Sequence, residues 1–285
     1  MAGTFELKVQ SDGITLAVRG HEVMDPRGAL FVAPGFAEHS GRYGRLSQEL
    51  GSRGYSTYIY DPRGHGKSTG QRGHTPTWGA LVKDLDHVIT ALESNVRLPA
   101  NRALIGSSMG ALVALDWMLS HRGRLSGLAM AGPFFKAAFN PPLWKVVLAE
   151  TLGNALPSFG QPHGLRGQDM SQDMVVAAQY DSDPQITRVM TARYYHEYLA
   201  AQKRLQATGP SVDFPVLLQH GGGDPIASPK AAALWAQSVP RPWCEWTIYQ
   251  GMRHEVLNEF ERGRVVSDLM YWLDRHVLAH AHPGP

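Results

Sequence analysis

The chain has 285 residues, enough for a large buried core, with 27 Lys and Arg against 25 Asp and Glu and a formal charge of +2. No block of like charge is present, which argues against a nucleic-acid partner, and a single cysteine, Cys244, excludes a disulfide within the chain. The opening MAGTFELKVQSDG lacks the basic-then-apolar layout of a signal peptide and no apolar run approaches the ~18 residues that span a bilayer, so the expectation is a soluble, cytoplasmic protein.

Short β-rich runs alternate with longer helical ones. Phe5 to Val9 and Thr15 to Arg19 read as strands joined by a hairpin around Ser11-Asp12-Gly13. Ala29 to Ala33 is a third strand, followed by a helical pattern over Tyr43 to Arg53, a strand over Tyr55 to Tyr60 and a helix over Thr77 to Ser94. Arg102 to Gly106 leads straight into a helical Met109 to His121, and Leu125 to Ala131 is again a strand. Late in the chain come strands over Pro215 to Gln219 and Cys244 to Tyr249, with helices over Pro229 to Ser238 and Val256 to Val277. This alternation predicts an α/β fold, a mostly parallel eight-stranded sheet flanked by helices.

One interval breaks the alternation. Between Ala131 and Pro215 there are helical patterns and no good strand, over a stretch far longer than the usual ~2–6 residues of such a connection. The reading is a helical cap inserted over 133–209 between two core segments, 1–132 and 210–279, with 280–285 as a frayed tail. Within the insertion, GPFFKAAFNPPLWKVVLAETLGNALP puts Trp144, Val147, Leu148 and Leu152 on one helical face. That face either packs on the main domain or also lines an apolar substrate entrance.

Two stretches fit the G-x-S-x-G pattern of a serine-hydrolase nucleophile, GKSTG at 66–70 and GSSMG at 106–110. The pattern requires a buried strand, a tight turn with serine at its apex, and a helix that starts at once. GSSMG follows the apolar Arg102-Ala103-Leu104-Ile105 and opens ALVALDWMLSH, a strong helix former. GKSTG follows a strand already broken by Asp61-Pro62 and runs into TGQRGHTPTW, which is full of turn residues. Ser68 is therefore a loop hydroxyl, and a phosphate-binding loop is excluded because it needs glycine where Asp61 stands. Ser108, with Gly106 and Gly110 two residues to either side, is the candidate nucleophile.

A serine hydroxyl needs a histidine to take its proton and a carboxylate to orient that histidine. In the α/β-hydrolase order the acid and then the histidine follow the serine, each in a loop beyond a strand's carboxyl end. Of thirteen histidines, only His254 follows a strong late strand, CEWTIY, by a short loop and precedes a helix. Asp224, in the glycine-rich loop of VLLQHGGGDPIASP, is the candidate acid; His220 ends that strand before the acid and reads as a structural residue. The backbone N–H of Met109 and, from the turn Ala33-Pro34-Gly35-Phe36-Ala37, that of Phe36 are the candidate oxyanion donors. No histidine and carboxylate pairs stand at metal-ligand spacing, so neither metal nor cofactor is expected.

GFAEHSGRY at 35–43, DPRGHGKSTGQRG at 61–73 and GMRHEVLNE at 251–259, beside GSSMGA and the GGGDP loop, resemble the monoacylglycerol lipase and lysophospholipase branch of the α/β-hydrolases, also classed with serine aminopeptidases. The resemblance spans Gly35 to Glu259. It implies a helical cap that admits a single acyl chain and an ester-cleaving serine, carried onto Ser108, Asp224 and His254. Two departures stand out: Pro34-Gly35-Phe36 replaces the family's His-Gly and small residue at the oxyanion turn, and Ser107 and Ala111 replace the elbow's usual His and last Gly. The expected function is cofactor-free hydrolysis of a lipid ester through an acyl-enzyme, with membrane contact through the cap. The alternatives are an esterase, thioesterase or aminopeptidase on small soluble substrates, or a non-catalytic binding protein that kept the fold.

Overall fold

The computed structural model of the chain describes residues 3–139 and 155–278. β1 (Gly3–Ser11) and β2 (Ile14–Glu22) form an antiparallel hairpin, with φ of 45° and 78° at Asp12 and Gly13, the left-handed pair that suits the strands' twist. β2 pairs antiparallel with β4 (Tyr55–Tyr60). From there every neighbour runs parallel, through β3 (Gly28–Ala33), β5 (Arg102–Ser107), β6 (Leu128–Ala131), β9 (Val216–Gly221) and β10 (Cys244–Tyr249). The sheet has eight strands in the order β1-β2-β4-β3-β5-β6-β9-β10.

Successive side chains of a strand face opposite sides, and both sides are covered. Phe31, Leu104, Leu128 and Leu218 pack with α2 (Trp78–Asn95) and α3 (Ser108–Ser120). Leu30, Ile105, Ala129 and Leu217 pack with α1 (Gly44–Gly51) and α8 (Arg262–Leu273). Capping fixes where helices begin: Thr77 accepts from Ala80 N–H ahead of α2, and Ser228 from Ala231 N–H ahead of α7 (Pro229–Ser238), whose first residue is a proline.

Two expectations need correcting. The interval from Gly132 to Phe214 is helical in α4 (Gly167–Met170), α5 (Met174–Ser182) and α6 (Ala192–Leu205), but it also holds an antiparallel ribbon, β7 (Gly160–Pro162) on β8 (Val189–Thr191). Strands this short carry no readable period. The helix expected over Val256 to Val277 is instead a 3-10 turn at Val256–Asn258, then α8, then a π-helical end at Asp274–Leu278. Glu259 holds the backbone out of helix at the break. Its carboxylate accepts from Arg253 N–H at 2.7 Å and from Gln172 and Phe260 N–H at 3.1 Å each. The face of Trp144, Val147, Leu148 and Leu152 and the 280–285 tail lie outside the described residues.

Candidate active site

β5 ends at Ser107 and α3 begins at once with Ser108, whose φ is +51°, a left-handed conformation that non-glycine residues rarely adopt. The flanking glycines are sterically required. A Cβ at Gly106 would run into the backbone of Ala111, and one at Gly110 into the carbonyls of Ala33 and Pro34. The turn therefore lifts Ser108 out of the sheet and presses α3 against the end of β3.

Asp224 and His254 come from the loops after β9 and β10, at the same carboxyl edge. His254 Nε2 lies 2.8 Å from Ser108 Oγ, and His254 Nδ1 lies 2.7 Å from Asp224 Oδ2. Because a carboxylate can only accept, Nδ1 carries the hydrogen and Nε2 is left to accept from the serine hydroxyl. Burial alone would lower the His254 imidazolium, but the charge and hydrogen bond of Asp224, with Glu255 and Glu38 beyond, outweigh it and hold the group above its ordinary value. Burial disfavours the Asp224 carboxylate, yet His254 and His220 together hold its pKa well below the usual carboxylate range. Two other histidines are occupied elsewhere: His121 stacks on Trp117 at 4.5 Å, and His276 is bonded to Glu245 at 2.6 Å.

The turn after β3 borders the same cavity as Ser108, as does Met109. With Pro34 lacking an N–H, Gly35 N–H donates to Glu38 Oε2 at 2.7 Å, and Tyr43 Oη donates to the same oxygen at 2.7 Å. Glu38, Arg42 and Glu255 form a buried group that sequence reasoning did not identify: Arg42 donates to Glu255 at 2.5 Å and stands 3.6 Å from Glu38. Burial and the neighbouring Glu255 push the Glu38 carboxyl up to about 7, while Arg42 overcomes burial to keep Glu255 low. The Phe36 ring is gripped edge-on by His65 at 5.2 Å and, from the Gly132–Phe214 interval, by Tyr194 and His163 at 5.1 and 5.6 Å. Burial drives His65 down to about 4 and lowers His163 as well, so this grip is between uncharged rings.

Above Ser108 opens a cavity of about 580 Å³. Phe134, Pro162, Leu165, Met190, Leu199 and Ile226 make much of its wall apolar. Tyr198 Oη and Gln202 Nε2 both donate to the Phe134 carbonyl, at 2.9 and 2.8 Å, and so fix the wall beside the serine. A family model described as serine aminopeptidase, S33, matches residues 24–261. The chain belongs to that S33 family. A monoacylglycerol lipase of Mycolicibacterium smegmatis is 29% identical over 255 residues, covering 89% of this chain and 90% of its own length. The solved monoacylglycerol lipase of Paleococcus ferrophilus superposes with a TM-score of 0.81 at 25% identity, over 96% of this chain and 99% of its own. A soluble variant of the Saccharomyces cerevisiae monoglyceride lipase, in complex with a substrate analog, shares the fold with a TM-score of 0.85 at 22% identity, over 97% of each chain.

In this S33 chain the other G-x-S-x-G stretch, GKSTG at 66–70, is a structural loop. Ser68 Oγ donates to the Asp61 carbonyl at 2.5 Å and accepts from Ala17 N–H at 2.9 Å, tying the loop to β2. Asp61 accepts from Ser40 N–H at 2.6 Å and Lys67 N–H at 2.7 Å, so it joins this loop to the segment after β3. Arg63 grips Asp84 of α2 through two 2.6 Å bonds in a buried pair. Among the described residues no group of three or more His, Cys, Asp or Glu could hold a metal ion, and no helix is long and apolar enough to cross a membrane.

Proposed function

We propose that this S33 protein hydrolyses carboxylic esters of single-chain lipids, a monoacylglycerol or lysophospholipid, through an acyl-enzyme on Ser108. The observation that carries the reading is the Ser108–His254–Asp224 relay opening onto a largely apolar cavity. Ser108 Oγ attacks the ester carbonyl carbon as its proton passes to His254 Nε2. The carbonyl oxygen gains the charge and is received by the N–H groups of Phe36 and Met109, each worth about 2.7–4 kcal/mol of barrier. The carbon–oxygen bond to the alcohol then breaks, and His254 hands its proton to the leaving oxygen. Water repeats the sequence on the acyl-enzyme, giving up a proton to His254, releasing the fatty acid and restoring the serine.

Residues 133–209 act as the cap over core segments 1–132 and 210–279, and the acyl chain lies along its apolar wall. Phe139 and Phe159 line the cavity yet are 59% and 47% exposed, and they are the side chains through which the cap meets a lipid surface. Liposome flotation of the parent against Phe139→Ser with Phe159→Ser tests that contact, and equal recovery with lipid removes it.

The test of the whole reading uses Ser108→Ala and a graded ester panel. The variant loses both esterase activity and labelling by a fluorophosphonate; retention of either overturns the nucleophile. On the parent, kcat/KM rises with acyl length from acetate to long-chain glycerol monoesters. A fall along that series assigns the protein to small soluble esters, and cleavage of aminoacyl amides in preference to all of them assigns it to peptides.

A further inference from the structure

The function above uses one histidine, yet two contact the acid. His220, at the end of β9, is completely buried, and its Nε2 lies 3.1 Å from Asp224 Oδ2, the same oxygen that His254 Nδ1 reaches at 2.7 Å. The other oxygen, Oδ1, accepts from Ile226 N–H at 2.8 Å and Ala227 N–H at 2.9 Å. Ile226 N–H, Ala227 N–H and His254 Nδ1–H thus donate three hydrogen bonds to Asp224, and His220 Nε2 stands as a fourth polar contact on the second lone pair of Oδ2.

The tautomer of His220 follows from its surroundings. Nε2 faces two acceptors, Asp224 Oδ2 and the Ala227 carbonyl at 3.2 Å, so it carries the hydrogen. Nδ1 is buried with no partner, and a hydrogen there would have no acceptor. His220 is therefore a fixed donor, unlike His254, whose Nε2 must alternately accept and give a proton. Ile226 N–H, Ala227 N–H and His220 Nε2–H keep their hydrogens throughout the reaction, and together they set the plane of the carboxylate that His254 meets.

We propose that His220 is a positioning residue of the hydrolytic machinery: its Nε2–H holds Asp224 Oδ2 in line with His254 Nδ1 and, by sharing that oxygen's charge, keeps the proton on His254. The inference rests on the Ser108–His254–Asp224 reading. Loss of His220 leaves the carboxylate with one donor fewer, hence more basic, and it draws the His254 proton more strongly. The charged and titratable groups that act on His254 are Asp224, Glu255 and Glu38, with Arg42 behind the two glutamates.

The test compares His220→Leu, His220→Gln and His220→Asn in steady-state hydrolysis of p-nitrophenyl butyrate across pH, with thermal melts of each. Gln can place an N–H where Nε2 stands, Asn only where Nδ1 stands, and Leu nowhere. Expected are a kcat loss of about tenfold in Leu and Asn, with the acid limb of kcat/KM moved up by about half a pH unit, and recovery to within about threefold in Gln. Should Leu fail to fold, the Gln and Asn pair carries the comparison. The inference is overturned if folded Leu or Asn keeps the parental kcat and acid limb, or if Gln and Asn fall equally in step with lost stability. Ser108→Ala separates the two levels: activity surviving in that variant removes the underlying reading, whereas a silent His220 removes only the positioning role.

Discussion

Asparagine at position 224 would keep the shape of the aspartate but must choose which end carries its NH₂. The backbone N–H groups of Ile226 and Ala227, 2.8 and 2.9 Å from Oδ1, cannot give up their hydrogens, whereas the His254 ring facing Oδ2 can move its own, so the amide oxygen stays at Oδ1 and the NH₂ takes the place of Oδ2. It then points a hydrogen at His254 Nδ1, 2.7 Å away in the parent. The ring relieves this conflict by moving its own hydrogen to Nε2, which leaves no lone pair for the Ser108 proton. Asp224→Asn should therefore lower kcat by about 10⁴-fold, roughly 5–6 kcal/mol of barrier, with KM little changed. Asp224→Ala imposes no tautomer and should retain about tenfold more activity than the asparagine variant. Initial rates on p-nitrophenyl butyrate, normalised to folded protein from circular-dichroism melts, make the comparison. An asparagine variant at least as active as the alanine one, or within about 100-fold of the parent, would refute the reasoning.

Ser68→Ala leaves the half-buried Ala17 N–H unpaired and should cost about 1–2 kcal/mol by urea unfolding while kcat stays within about threefold. Gly110→Ala puts a Cβ 2.7 Å from the Pro34 carbonyl carbon, displaces the turn carrying Phe36, and should lower kcat by about 10²- to 10³-fold in a folded protein; parental kinetics would contradict it. Since His254 must be neutral to act as base and is held above its ordinary ~6.5, kcat/KM should fall about tenfold per pH unit as pH drops below a midpoint that lies above that value. Glu38 is raised to about 7, so the folded state holds its proton where the unfolded chain has released it. Its stabilising effect is complete below the ordinary carboxylate value of ~4.3 and lost as pH rises to about 7, and Glu38→Gln should flatten the pH dependence of the urea midpoint over that window.

The sheet was legible because its central strands are covered on both faces, so Gly28–Ala33 and Tyr55–Tyr60 are buried at every position and stand out as continuous β-rich runs. The positions of Ser108 and His254 were legible because each follows a β-rich run, Arg102–Ser107 or the half-buried edge strand Cys244–Tyr249, by at most a few residues. What sequence could not reveal depends on distance across the fold. His220 and Asp224 meet because the loop after β9 doubles back, and nothing in the spacing of HGGGD distinguishes that path from an open turn. Glu38, Arg42 and Glu255 are brought together by two loops over two hundred residues apart in the chain, as the 213-residue separation of the Arg42–Glu255 bond records. The β7–β8 ribbon gains its order from neighbours, as when Thr191 N–H donates to the Gly73 carbonyl at 2.9 Å, rather than from its own composition.

The grip on Phe36 bears on how such a protein can change. The ring of Phe36, whose backbone N–H we propose as an oxyanion donor, touches His65 and, from the Gly132–Phe214 interval, His163 and Tyr194. Substrate range and chemical competence are therefore inherited together. Exchange of the Gly132–Phe214 interval for that of a relative would alter the cavity and loosen the turn after β3 in one stroke, unless partners for the phenylalanine travelled with it. Directed evolution of chain-length preference should accordingly accumulate changes around Met190 and Leu199 before it touches residues 163 or 194.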